Sequence, residues 1–170
     1  YVNLFDKNIW GFNFSTLTGR INTKENLLDL NAEVPEFNYK NIAVQNLNLK
    51  AAGTYDSLSL ETNIDNVIVN DSLHFPGTYV KITSANDLSD VVIKTSANQT
   101  LNAANLSAQV QTLPKGARIT FNESNFDLNG KNWTIEKDGQ LIFSESLILA
   151  EGVKLYNGLQ QIAITTVPSD

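Results

Sequence analysis

The side chains able to do chemistry are few, and nothing in their spacing assembles a reaction centre. His74 is the only histidine and there is no cysteine. A histidine-based triad, a multi-histidine metal site, thiol catalysis and disulfides are therefore excluded. Leu73 and Phe75 on either side place His74 on a strand with its imidazole toward water. Eighteen acidic residues remain. Asp65, Asp71, Asp87, Asp90, Glu123, Asp127, Glu136 and Glu145 contain the raw material for the carboxylate pair of a glycoside hydrolase. They are scattered over turns and polar strand faces, as chance would scatter them. Lys137-Asp138-Gly139 resembles a fragment of a calcium loop and fits a hairpin turn better. No nucleophile elbow, phosphate-binding loop or EF-hand occurs. The expectation is a protein that is not an enzyme and carries no cofactor or metal.

The aromatic residues offer binding rather than reaction chemistry. Trp10, Trp133, Tyr39, Tyr55, Tyr79 and Tyr156 are of the type that stacks on sugar rings. Trp10 and Trp133 share parity with apolar partners, which assigns them to a core or a groove lining. The tyrosines suit groove lips, ring against apolar surface and hydroxyl in water. Six sequons, at Asn13, Asn70, Asn98, Asn105, Asn122 and Asn132, are what an Asn- and Thr-rich chain produces by composition.

Composition narrows the class further. The chain has 170 residues, 42% hydrophobic and 18% charged, enough for one domain-sized unit and too apolar for a disordered acidic chain. The longest apolar run, around Leu147 to Ala150, is far short of the ~20 residues a membrane helix needs. A net charge of −6 argues against nucleic acid as a partner, because phosphate neutralisation requires clustered Lys and Arg. The chain starts at Tyr1 and holds no methionine. We therefore expect a single β-rich segment, 1–170, of a longer protein, with any signal peptide or anchor upstream.

The elements that carry these side chains are short strands. From Ala117 to Thr166 apolar residues come in pairs two apart: Ile119 with Phe121, Phe126 with Leu128, Trp133 with Ile135, Leu141 with Phe143, Leu147 with Leu149, Val153 with Leu155, and Ile162 with Ile164. Residues two apart on an extended chain share a face. Asn129-Gly130, Asp138-Gly139, Glu151-Gly152 and Asn157-Gly158 separate the pairs and suit tight hairpin turns. Earlier in the chain, Trp10, Phe12 and Phe14 share one parity, followed by a turn at Thr18-Gly19 or from Asn22 to Glu25. Leu28, Leu30, Ala32 and Val34 form the next strand, ended by Pro35. Ile42 and Val44 have opposite parity to Leu47, Leu49 and Ala51, and a bulge or kink near Gln45-Asn46 would reconcile them. Leu58, Leu60, Thr62 and Ile64 alternate cleanly. Val67 and Val69, then Leu73 and Phe75, follow around turns at Asp65-Asn66 and Asn70-Asp71. Pro76-Gly77 turns into Val80 and Ile82, and Ser84 to Asp87 into Val91 and Ile93. After Asn98-Gln99 comes a longer strand with Leu106, Ala108 and Val110, closed by Leu113 to Gly116.

The fold class is all-β, with roughly a dozen strands at the ~8–12-residue spacing of such domains. A closed sandwich or jelly roll fits this pattern. So does a long antiparallel meander curled into a U-shaped apolar trough, or a barrel. Tight connectors favour the meander.

Ile119-Thr120-Phe121, the run FDLNGK from Phe126, Trp133-Thr134-Ile135, QLIF from Gln140 and Gln160 to Ile164 resemble the β-rich segments of TamB-type translocation and assembly proteins. These belong to the wider AsmA-like group of Gram-negative envelope proteins. The Asn and Lys content is similar to versions from Bacteroidota. The resemblance covers about Gly116 to Thr166, and Tyr1 to Lys115 agrees in rhythm alone. It implies a periplasmic protein anchored in the inner membrane through a region outside this chain. Its sheet would form a taco-shaped trough that shelters or conducts phospholipid acyl chains and supports outer-membrane biogenesis. Its partners would be acyl chains, neighbouring segments of the parent chain and outer-membrane assembly proteins. No catalytic residues transfer. The groove lining would be the apolar positions quoted above. The rival expectations are a carbohydrate-binding or adhesin β-sandwich of a bacterial surface protein, and a structural spacer filled by its own side chains.

Overall fold

Alternating apolar and polar residues, with Asn, Asp and Gly where the backbone must turn, produce fifteen strands among the described residues. Among the described residues there is no helix. In this computed structural model the described residues are 7–70, 73–96, 101–144 and 147–167, without the side chains of Leu101, Asn102 and Leu147. The strands are β1 (Ile9–Gly11), β2 (Thr16–Asn22), β3 (Leu27–Tyr39), β4 (Ile42–Gly53), β5 (Ser57–Val69), β6 (Leu73–Ala85), β7 (Leu88–Thr95) and β8 (Leu101–Leu113), then β9 (Gly116–Phe121), β10 (Ser124–Leu128), β11 (Lys131–Ile135), β12 (Gln140–Ser144), β13 (Leu147–Glu151), β14 (Val153–Asn157) and β15 (Gln160–Ile164). All join one antiparallel sheet. It does not close into a barrel, and among the described residues there is no second sheet, so the sandwich reading is set aside.

The path simplifies when half-length strands are joined end to end. β1 and β2 both pair with β3, and β9 and β10 both pair with β8. β11 and β12 lie beside β10 and β9, and β14 and β13 beside β11 and β12. The chain thus meanders through eleven rows, each next to its predecessor. At ~4.8 Å per row the sheet runs about 50 Å across its strands.

The expected hairpins at Asp138-Gly139 and Glu151-Gly152 are instead breaks within rows. β11 does not pair with β12, nor β13 with β14. Asp138 takes φ 71° and Gly152 φ 61°, so the residue types foretold positive φ correctly but not its use. Phe121 N–H donates to Gly139 O at 2.8 Å, and Asp138 N–H to Phe121 O at 2.8 Å. That neighbour holds the link extended rather than letting it turn back. Asn129-Gly130 closes a hairpin between Leu128 and Lys131, while the last hairpin closes between Asn157 and Gln160, so its loop is Gly158-Leu159, one residue beyond the expected pair. Asp65-Asn66 and Pro76-Gly77, read as turns, lie inside β5 and β6. Thr18-Gly19 lies inside β2, and the first turn follows Asn22, whose Oδ1 accepts from the N–H of Lys24 and Glu25. Asn98-Gln99, Asp71 and Glu145 fall outside the described residues.

A crease crosses the first rows at Pro35, Asn46, Asp65 and Gly77. The ladder skips these four positions, yet the register is identical on either side. Asn46 has φ 52° and Gly77 φ 64°. Asn46 Nδ2 donates to Asp65 Oδ2 at 3.0 Å, and Asn66 Nδ2 to Gln45 Oε1 at 3.2 Å. Val34 on one side of the crease and Val44 on the other are both buried, at 8% and 7% exposure, and Val44 stands opposite Phe37 as Val34 stands opposite Leu47. The crease therefore turns the pleat over without inserting a residue into any one strand. Val44 and Leu47, three apart, consequently serve the same apolar face, the kink that the sequence called for near Gln45-Asn46.

Candidate functional site

Side chains opposite one another in an antiparallel ladder share a face, so the register assigns each residue. One row reads Ile21, Leu28, Gly53, Leu58, Ser84, Ser89, Val110, Ile119, Leu141 and Ala150. The next reads Leu30, Ala51, Leu60, Ile82, Val91, Ala108 and Phe121, and the one after it Leu17, Ala32, Leu49, Thr62, Val80, Ile93 and Leu106. A fourth runs Val34, Leu47, Ile64, Thr78, Thr95, Ala104, Phe126 and Trp133. Ser124, Ile135, Leu155 and Ile162 extend the face toward β15, with Leu128, Val153 and Ile164 on the same side. Phe143 lies beside Ala117 and Ile148. The result is one apolar surface, interrupted by small hydroxyls that satisfy each other, as Thr78 and Thr95 do at 2.7 Å and Ser84 and Ser89 at 2.7 Å.

The opposite face is polar. One of its rows is Thr16, Glu33, Asn48, Asn63, Tyr79, Lys94, Asn105, Asn125, Thr134, Tyr156 and Gln161. Desolvation, then the charge of Glu61 and a hydrogen bond to it, raise the Tyr79 phenol above its ordinary value. Tyr79 stays neutral wherever the protein is folded in water of ordinary pH.

No described residue packs on the apolar face. The chain exposes 11441 Å², against roughly 8,300 Å² for a compact monomer of this mass. Only a handful of apolar residues are buried, among them Val34, Val44, Ala51, Ala104, Ala150 and Val153. Along β4 and β5, however, the apolar positions are consistently more sheltered than the polar ones between them. With no second layer among the described residues, that shade comes from neighbouring side chains and from the curl of the sheet, as in a trough with its apolar face inside.

Several expected lining residues sit elsewhere. Leu149 pairs with Ile142, which pairs with Arg118, so it faces away from Leu141 and Phe143, and Ala150 and Ile148 take its place. The pattern misled because Leu147 to Ala150 is apolar at every position, so either parity was allowed. Leu147 pairs with Ser144, and its side chain is outside the described set. Trp10, Phe12 and Phe14 do not form one aromatic strand, because Gly11, Phe12 and Phe14 take positive φ. Phe12 stacks on Phe37 with ring centroids 5.2 Å apart. Phe14 is exposed, and Trp10, 55% exposed, stands opposite Asn38 in the β1–β3 ladder. Leu17 and Ile21 were missed, although their parity on β2 matches the rest.

No group of three or more metal-ligating side chains occurs among the described residues. Comparison with protein-family models, with curated proteins and with solved structures returns no match.

Proposed function

We propose that this chain is a non-enzymatic segment of a longer envelope protein that shelters and conducts phospholipid acyl chains along its apolar face. The observation that carries the reading is an aliphatic surface continuous across successive rows and covered by none of the described residues. Each methylene moved from water onto such a surface is worth up to about 0.8 kcal/mol. One step along the face exchanges one aliphatic contact for another of equal kind, so a chain slides without meeting a deep well. Headgroups stay in solvent at the lip, which suits a net charge of −6 and needs no basic cluster. The TamB-like pattern agrees with this reading and adds its location: the periplasm, with inner-membrane anchoring and outer-membrane assembly contacts through other regions of the parent protein.

The sheet edges support membership of a longer assembly. β15 presents Gln160, Gln161, Ile162, Ala163 and Ile164 without a charge or proline, the devices that normally protect an edge. Neighbouring segments of the parent chain would pair there and along β2.

The test is detergent-free purification from a Gram-negative periplasm, followed by solvent extraction and lipid mass spectrometry. Phospholipid should co-purify near stoichiometrically. Phe143, 36% exposed, gives the decisive variant: Phe143→Arg should stay folded yet lose lipid, because its charge reaches water. Lipid-free protein, or a variant that unfolds as a sealed core would, would remove the proposal and favour the spacer reading.

A further inference from the structure

We infer that the polar side of the sheet carries a saccharide-binding site centred on Trp10, separate from the apolar face. Trp10 stands directly opposite Asn38, and the same ladder continues through Ala43, Ile68 and His74. Asn38 and Ala43 are small, so the sheet surface drops away beside the indole. One hollow of about 500 Å³ is lined by Trp10, Asn38, Lys40, Asn41, Ala43, Ile68 and Asn70. A second, of about 430 Å³, is lined by Trp10, Asn13, Phe14, Pro35, Glu36 and Asn38 among others. Trp10 and Asn38 belong to both, so the two hollows adjoin across the indole. Each is within the ~300–1,000 Å³ range of small-molecule sites.

The chemistry around the indole matches a sugar and mismatches a hydrocarbon. An exposed indole offers a flat apolar surface for the C–H face of a pyranose. Carboxamides present donor and acceptor side by side, as paired hydroxyls and acetamido groups require. Asn38, 8% exposed, is restricted by its surroundings and lines both hollows. Asn41 Nδ2 donates to Asn70 Oδ1, orienting both amides on the rim. Lys40, its Nζ 5.2 Å from the Tyr39 ring, adds a donor at one end, and Glu36 an acceptor at the other. Two hollows meeting at one ring suit a short neutral or N-acetylated oligosaccharide with a sugar in each. Trp133, by contrast, sits half-buried on the apolar face beside Phe126.

The chain has two tryptophans, so Trp133→Phe leaves Trp10 as the sole indole reporter. Maltotriose, cellotriose and triacetylchitotriose are titrated separately into that variant to ~10 mM, a range that covers millimolar binding. At least one should shift the indole emission saturably. Adding Asn38→Ala should weaken that response tenfold or more, with Lys40→Ala on the exposed rim as the substitute should Asn38→Ala unfold. Phe143→Ala, on the other face, should leave it unchanged. No saturable shift with any of the three sugars overturns the site. So does sugar binding that persists in Trp10→Ala, followed by ligand-observed NMR in protein with an unchanged melting curve.

Discussion

Gly116 shows how a single backbone position can be fixed by its neighbour. Its φ is 139°, and a Cβ there would come 1.9 Å from Phe143 O. Gly130 also has positive φ, 72°, but faces open space. Gly116→Ala should therefore cost at least about 2 kcal/mol, against about 1 kcal/mol for Gly130→Ala, read as shifts in urea midpoint. Equal losses would mean that the close approach to Phe143 is relaxed in solution. Tyr79 gives a pH prediction. Its pKa is raised in the fold, so the unfolded chain releases its proton first as pH climbs past the ordinary value of 10.0. Stability is complete below that value and declines above it. Tyr79→Phe should lose this part of the alkaline decline, seen as a flatter dependence of the urea midpoint on pH above about 10.

Among the elements, the crease at Pro35, Asn46, Asp65 and Gly77 is the most consequential. It lets Val34 with Phe37, and Leu47 with Val44, contribute to one face although each pair is three apart. A left-handed residue with a Cβ costs about 1–2 kcal/mol, less for Asn, and glycine, which has no Cβ, escapes the cost. Asn46→Val should consequently destabilise more than Asn48→Val, since Asn48 is an ordinary strand position opposite Glu33 and Asn63. Asn46→Gly should be tolerated. If the two valine variants melt together, the pleat does not turn over at Asn46. The links at Asp138-Gly139 and Glu151-Gly152 make the complementary point. Turn residues report that the backbone adopts positive φ, while the strand alongside decides whether the chain reverses or runs on.

For the whole molecule, the uncovered sheet sets the shape. A slab about 50 Å across its rows, with strands about 40 Å long, has a radius of gyration of roughly 19 Å. A compact globule of this length would give about 15–16 Å. Small-angle scattering at the compact value would contradict the single layer. The unprotected edge at β15 should make the isolated chain self-associate with concentration, and Ile162→Lys should suppress that association in sedimentation velocity. Both outcomes concern the sheet alone and hold whether or not lipid is its cargo.

The alternation of residues such as Leu58, Leu60, Thr62 and Ile64 already determined that this chain makes antiparallel strands with one apolar face, because side-chain direction in an extended backbone is purely local. The absence of cysteine and the single histidine likewise settled by composition which metal and nucleophile chemistries were out of reach. Tertiary structure alone decided that the apolar face stays uncovered, that Ala150 rather than Leu149 joins it, and that Trp10 is left exposed opposite Asn38. Those outcomes depend on which strand lies beside which and in what register: Trp10 meets Asn38 from a distant part of the chain, and an all-apolar run such as Leu147 to Ala150 leaves its parity open until its pairing with β12 fixes it.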